Sequence, residues 1–424
     1  MRMQKYQTLE NPRCRILKEM MKMRPMSKEM CLVCKGGRLL CGQTFCPLLK
    51  RIEIQKPSQE KLSEVMYGKS PSIFVGWHYY PEVYVGPMMA LDDNKAETID
   101  DPSKWYGANF DEIIEMRSLL LRSKKREFVM KKDVFIERSQ EIALSSKPVY
   151  VENEFKGVPK FGISFSPITQ PVGPSGILNK FHITENPKIP KMVDKMVSDE
   201  LRSKDAVFQL YRHGYDVYYL TNVLSSGALG MMDNRKLVPT RWSITAVDDI
   251  ISKEMMKEIR NFPSINDFLI YSNNYLDNHF EILMIPGKWE FEQFEAWAPR
   301  TLWTLSSTRP VIVEESEPFH GRTTYAEREG GGYYAGRFAV TEFLYKIKRQ
   351  CRVIIFREIS EGYVMPVGVW EVRENVRNAL RKRPLKFDNL NDALSHLDNK
   401  LRIPVRNYIS KSEILKQRRI TDFL

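Results

Sequence analysis

The sequence predicts an α+β protein: two mixed α/β domains, preceded by a small four-cysteine module and followed by a free tail. Three observations lead there. At 424 residues, 42% of them apolar, the chain exceeds the size at which a single core keeps growing, so two folded domains are expected. Strand-like and helix-like apolar patterns alternate along it without a fixed repeat. Four of its six cysteines fall within sixteen residues near the start. The expected division is 1–52 for the N-terminal segment with the cysteine module, 53–290 and 291–410 for the two domains, and 411–424 for the tail.

The cysteine module comes first. Cys31 and Cys34 form a Cys-x-x-Cys knuckle whose two thiolates can share one metal, and Cys41 and Cys46 supply a second pair. Gly36, Gly37 and Gly42 allow the tight backbone that lets four sulfurs close a tetrahedron. One structural zinc ion is the expected occupant, with an iron–sulfur cluster as the alternative, because the second pair is spaced more widely than in the commonest zinc ribbons. Four thiolates leave no open coordination position, so no catalysis is assigned to the module.

In the first domain, Trp77, His78, Tyr79, Tyr80 and Tyr84 make an aromatic stretch that Gly76, Pro81, Gly86 and Pro87 divide into short strands or a strand and loop. From about Asp111 to Lys132 the pattern reads as one helix, whose basic face is either solvated or a nucleic-acid contact. Pro159 to Pro190, rich in Pro, Gly and Ser, reads as a long ordered loop or an insertion within the domain. A helix over Val193 to Tyr211 and a strand over Tyr215 to Leu220 are expected next. Pro239-Thr240-Arg241-Trp242 then leads into a helical pattern reaching Arg260. Thr245 and Asp248 have the spacing of a helix N-terminal capping box. A helix start there, with Arg241 and Trp242 just before it, would equally suit a phosphate and a stacked base. Asp248 and Asp249 would be a third possibility, as metal ligands.

In the second domain, Arg322 and the Glu329-Gly330-Gly331-Gly332-Tyr333-Tyr334-Ala335-Gly336-Arg337 run precede a helix. The spacing of Gly330, Gly332 and Ala335 mimics a dinucleotide fingerprint, but no clear apolar strand leads in and no acidic residue follows at the required distance. A glycine loop entering a helix still offers N–H groups to an anion, with Arg322, Tyr333, Tyr334 and Arg337 as the side chains that would hold DNA or a nucleotide. The competing reading is a tight turn that needs glycine. Arg352 to Ile359 and Tyr363 to Trp370 read as paired strands, followed by helices.

The net charge of +12 suits a polyanionic partner, although an acidic protein surface would serve equally. No apolar run approaches the ~20 residues needed to span a bilayer, and Met1 to Met30 is too charged for a secretory signal, so a cytoplasmic location is expected. Walker, zinc-protease, serine-hydrolase and kinase signatures are all absent from the sequence. An enzyme acting on DNA or a nucleotide, using Arg241, Asp248, His320, Arg322 and Arg337, remains the alternative to a binding protein.

The tail carries the most specific pattern. One helical turn from Ile420 would bring Ile420, Phe423 and Leu424 into a single apolar plug, and Gln417 would hydrogen-bond at the pocket's edge. This is the pattern of peptides that dock on DNA sliding clamps of the PCNA type, and Lys416, Arg418 and Arg419 favour an acidic partner surface.

The run from Pro239 to Asp249, the Gly76-Trp77-His78-Tyr79-Tyr80-Pro81 and Val85-Gly86-Pro87 segments, the cysteine module and the tail together resemble the archaeal Nre family of DNA-repair proteins. The resemblance spans nearly the whole chain. It implies repair of DNA damage in cooperation with the sliding clamp, and it carries no catalytic residues onto this sequence.

Overall fold

A computed structural model of the chain describes residues 28–162, 170–305 and 307–416. It is the expected α+β arrangement, built on two six-stranded mixed sheets. The cysteine module holds α1 (Lys28–Cys34) and leads into α2 (Pro47–Gln59). The first sheet collects β1 (Val65–Ser70), β2 (Ser72–Val75), β3 (Glu82–Ala90), β4 (Leu120–Phe128), β5 (Val149–Phe155) and β6 (Ser175–Ile183) in the order β1-β5-β6-β4-β3-β2. Only β4 and β6 run parallel; the other neighbours are antiparallel. Two helices, α3 (Phe110–Ser118) and α4 (Val134–Leu144), lie in the connections of this sheet.

Beyond it, α5 (Lys191–Ser198), α6 (Ser203–Arg212), α7 (Val217–Ser225) and α8 (Thr240–Ile259) form a helical layer. The second sheet comprises β7 (Phe268–Tyr275), β8 (Asn278–Ile285), β9 (Glu290–Trp297), β10 (Val311–Glu317), β11 (Arg352–Ile359) and β12 (Leu385–Phe387), ordered β10-β9-β11-β8-β7-β12 with β9 and β11 parallel. It therefore draws β7 and β8 from ahead of the boundary expected at 290/291. Its remaining helices are α9 (Gly331–Ile347), α10 (Trp370–Arg381), α11 (Leu390–Lys400), α12 (Val405–Ile409) and α13 (Glu413–Lys416).

Alternation sorts this sheet's two faces. Phe280, Ile282, Met284, Val353 and Ile355 point into the core shared with α8, α9 and α10. Leu283, Ile285, Ile354 and Phe356 point to the other side, where Leu397 of α11 and Tyr408 of α12 cover them. Because both faces are covered, β11 reads as a nearly continuous apolar run.

Several elements differ from the sequence reading. The helix expected over Asp111 to Lys132 stops at Ser118, and the basic stretch becomes β4, where Leu121 and Ser123 are buried between half-exposed cations. Alternating charges that suit a helix face suit a strand equally, and pairing with β3 decides the matter. Gly86 of β3 is obligatory there, since a Cβ would stand 2.4 Å from the Ser123 carbonyl oxygen. The strand expected over Tyr215 to Leu220 is α7, nucleated by Asp216, whose carboxylate accepts from the N–H groups of Tyr218 and Tyr219. The helix expected over Val193 to Tyr211 is two helices, α5 and α6. The expected loop from Pro159 contains β6. Tyr363 to Trp370 is no strand: Pro366 and Gly368 interrupt it, and β11 pairs with β8 and β9 instead.

The end of the described chain is anchored, whereas freedom was expected from Lys411. Ser412 is fully buried and its hydroxyl donates to Glu292; the Glu413 N–H donates to the same carboxylate at 2.6 Å, and Arg352 donates to the Ile414 carbonyl at 2.9 Å. Burial pushes the Glu292 carboxyl up to about 7. The tail motif, Gln417 to Leu424, lies outside the described residues. Among the described residues no helix is long and apolar enough to cross a membrane.

Candidate nucleic-acid interface

One end of the first sheet carries an exposed cluster of aromatic rings. The β2–β3 connection turns tightly at Trp77 to Pro81: the Gly76 N–H bonds the Tyr84 carbonyl at 2.7 Å, the Glu82 N–H bonds that of Tyr79 at 3.0 Å, and Tyr79 takes a left-handed φ of 67°. Such a turn cannot bury its side chains, and Trp77, Tyr79, Tyr80 and Trp242 are 42%, 69%, 41% and 44% exposed.

Trp242 arrives from the start of α8, which begins at Thr240 directly after Pro239, a residue that cannot continue a helix backwards. Thr240 fixes the junction, its hydroxyl accepting the Val75 N–H of β2 at 3.1 Å. The Tyr80 and Trp242 rings lie 5.1 Å apart, and those of Trp77 and His78 stack at 4.0 Å. The Arg241 guanidinium sits 5.4 Å over the Trp77 ring, and that of Arg126 sits 5.2 Å over Tyr79 while pairing with Glu82 at 2.8 Å. Among the described residues no carboxylate pairs with Arg241. The apolar surface continues beside the turn. Phe128 and Met130 are exposed there, with Val129 bonded through its N–H to the Pro81 carbonyl, and Met231 and Met232 are exposed nearby, linked by Lys132 to the Met232 carbonyl.

The second segment expected to hold DNA does not belong to this surface. Tyr333 and Arg337 are fully buried and Tyr334 nearly so, whereas they were expected to line a groove. The reason is their position on α9, whose buried face is set by packing against α8, α10 and the second sheet. Arg337 bonds Glu317 at 2.8 Å and also Asp249 of α8. Arg322 bonds Glu315 at 2.8 Å and lies 4.9 Å over Tyr333. Burial lifts the Tyr333 hydroxyl well above its usual range. Gly330 takes φ 55°, the conformation of the tight-turn reading. Thr245 and Asp248 lie inside α8 and cap nothing; Asp248 is buried and bonds Arg373 of α10 at 2.5 Å. Of the suspected enzymatic set, Asp248, Arg322 and Arg337 are thus committed to internal ion pairs, while His320 is exposed.

Sequence reasoning missed a carboxyl group cluster at the starts of α9 and α10. Arg357 bonds Glu295 at 2.8 Å, Glu371 at 3.4 Å and Asn278 at 2.7 Å, and Gln293 donates to Glu329 at 2.6 Å. Burial, reinforced by Glu295, holds the Glu329 carboxyl well above its usual range, and burial pushes that of Glu371 up to about 7 against the pull of Arg357. A sequence signal did exist. Glu290 and Glu295 have the same five-residue spacing as Arg352 and Arg357, and they stand opposite each other across the parallel β9–β11 register.

The four cysteines converge within their module. Cys31, Cys34 and Cys41 are buried, all four are free of disulfides, and burial together with the nearby Cys46, Cys41 and Cys34 sulfurs raises the Cys31 thiol. Backbone N–H groups, that of Leu40 foremost, hydrogen-bond the Cys34 sulfur and hold its thiol below the usual value. This donor set suits a thiophilic metal, although among the described residues no three potential ligands stand in metal-binding geometry. The module packs on Leu302 and Trp303, and Lys50 bonds Asp111 of α3 at 2.9 Å, so it bridges both domains.

Residues 40–304 match the family described as Archaeal Nre, N-terminal, and residues 317–423 match Archaeal Nre, C-terminal. The chain is 36% identical to "DNA repair protein NreA" of Archaeoglobus fulgidus, covering 86% of this chain and 92% of that protein. It is 36% identical to "DNA repair protein NreB" of the same organism, over 93% of this chain and 100% of that one, and 34% identical to "DNA repair protein NreA" of Haloferax volcanii, over 81% and 85%. No solved structure matches.

The two arginines first grouped together should behave in opposite ways. Arg337→Ala strips a buried pair of one partner and should cost about 3–5 kcal/mol in chemical denaturation. Arg241→Ala removes an exposed side chain and should cost no more than about 0.5 kcal/mol.

Proposed function

We infer the function of this chain from one premise: it belongs to the archaeal Nre family. Relatives aligned along most of both chains carry the name DNA repair protein, and we propose that this chain likewise acts in DNA repair in the cytoplasm, as a DNA-binding factor. The observation that carries the DNA reading is the exposed cluster of Trp77, Tyr79, Tyr80 and Trp242 with Arg241. A group of large rings left in water is costly unless a ligand covers it, and rings edged with guanidinium groups fit a nucleic acid. The nearby cations Arg126, Lys125 and Lys131 are already paired with Glu82 and Glu127, so Arg241 is the natural phosphate contact. Removing it by Arg241→Ala should weaken DNA binding and lower the slope of log affinity against log salt by about 1. Unchanged affinity at two salt concentrations would show that DNA lies elsewhere.

Two accessory functions complete the proposal. Gln417, Ile420, Phe423 and Leu424 dock on a PCNA-type sliding clamp, delivered by the anchored segment that ends at Lys416. Phe423→Ala should cost about 2–4 kcal/mol in calorimetric titration with the clamp, whereas equal affinities would remove the clamp from the account. Cys31, Cys34, Cys41 and Cys46 bind one zinc ion that fastens the module between the domains. Metal analysis should find about one zinc per chain, lost in Cys34→Ser; iron in place of zinc would assign an iron–sulfur cluster instead.

A further inference from the structure

We propose that the aromatic end of the first sheet is a stacking platform for unpaired bases, so that the DNA it selects has single-stranded or extruded nucleotides rather than an intact duplex. This inference rests on the reading that the same surface meets DNA.

The rings are held in place rather than loosely collapsed. The Trp77–Pro81 turn is tied at Gly76 and Glu82 to its own strand, at Pro81 to Val129, and through Val75 to Thr240 of α8. Trp77 has Arg241 over one face, and Tyr79 has Arg126 over one face. Each of these cations polarises its ring while leaving the rest of an exposed side chain to solvent. Tyr80 and Trp242, tilted 52° to each other, lean together without closing into a stack.

Such rings have little to offer a paired duplex. The π-faces of its bases are covered by their neighbours, and a duplex presents phosphates and base edges to an approaching surface. Phosphates gain nothing from the ring faces of Trp77, Tyr79 or Trp242. They would also lose water against the exposed Phe128, Met130, Met231 and Met232 that extend the patch. The charge balance points the same way. Arg126 is paired with Glu82, while Lys125 and Lys131 share Glu127, so the surface holds few free cations for a duplex backbone. An unpaired base has two free faces, and stacking on an aromatic side chain is insensitive to sequence because every base has such a face.

The test compares three labelled DNAs of one length by fluorescence anisotropy with the full-length protein: a single strand, a duplex carrying a short run of unpaired thymines, and a fully paired duplex. The first two should bind at least about tenfold more tightly than the third. Trp242→Ala and Tyr79→Ala, both at exposed positions, should each weaken binding of the unpaired DNAs by about 5- to 150-fold, equivalent to about 1–3 kcal/mol, and leave the paired duplex and the salt slope unchanged. Equal binding of all three DNAs, or variants that weaken all three alike, would overturn the platform while leaving a DNA-binding surface. Failure of every DNA to bind would overturn both readings. Normal thermal unfolding of the variants separates either result from misfolding.

Discussion

Buried ion pairs between three parallel helices set the position of everything else in this molecule. The pairing Thr245–Gly331, Asp249–Arg337 and Glu258–Tyr345 shows that α8 and α9 run in the same direction. Gly331–Val369 and Glu342–Arg377 show the same for α9 and α10. Across these helices Asp248 meets Arg373, Asp249 meets Arg337 and Glu342 meets Arg377, while Glu317 of β10 also holds Arg337 and Glu374 braces Arg377 from within α10. Burying these charges is expensive, and close ion pairs with further hydrogen bonds offset the lost hydration. The network therefore tolerates one register. That register places the start of α8, and with it Arg241 and Trp242, beside β2 and the Trp77–Pro81 turn.

Parallel helices bring their positive ends together, which is unfavourable unless negative charge lies close by. Glu295 of β9, paired with Arg357 beside Gly332, supplies that charge, and Glu329 immediately ahead of α9 and Glu371 in the first turn of α10 stand next to it. The carboxyl cluster has a structural explanation on this view. Its elevated carboxyl pKa values follow from burial.

Much of this was legible in the sequence, with a consistent pattern in what was not. The aromatic turn and the glycine turn at Gly330 were readable, because each depends on local backbone chemistry, whereas the helix start expected at Thr245 lies at Thr240. Elements whose identity depends on a distant partner were not. The basic stretch of β4 fits a helix equally well until β3 and β6 pair with it, and α7 looks like a strand until Asp216 is recognised as its cap. For Arg337, residue type and neighbours were readable but exposure was not. An arginine beside two tyrosines resembles a nucleic-acid contact, yet Tyr333, Arg337, Thr341 and Leu344, three and four apart, mark the buried face of a helix. The matched five-residue spacing of Glu290/Glu295 and Arg352/Arg357 becomes informative only once β9 and β11 are known to be parallel.

On the proposed function, the aromatic end of the first domain is the working surface and the glycine-rich start of α9 belongs to the scaffold. Ultraviolet cross-linking of the full-length protein to DNA with unpaired thymines, followed by peptide mapping, tests that division most directly. Cross-links should concentrate at Trp77, Tyr79, Tyr80 and Trp242. Cross-links confined to Tyr325, Tyr333 and Tyr334, with the first-domain rings unmodified, would contradict it.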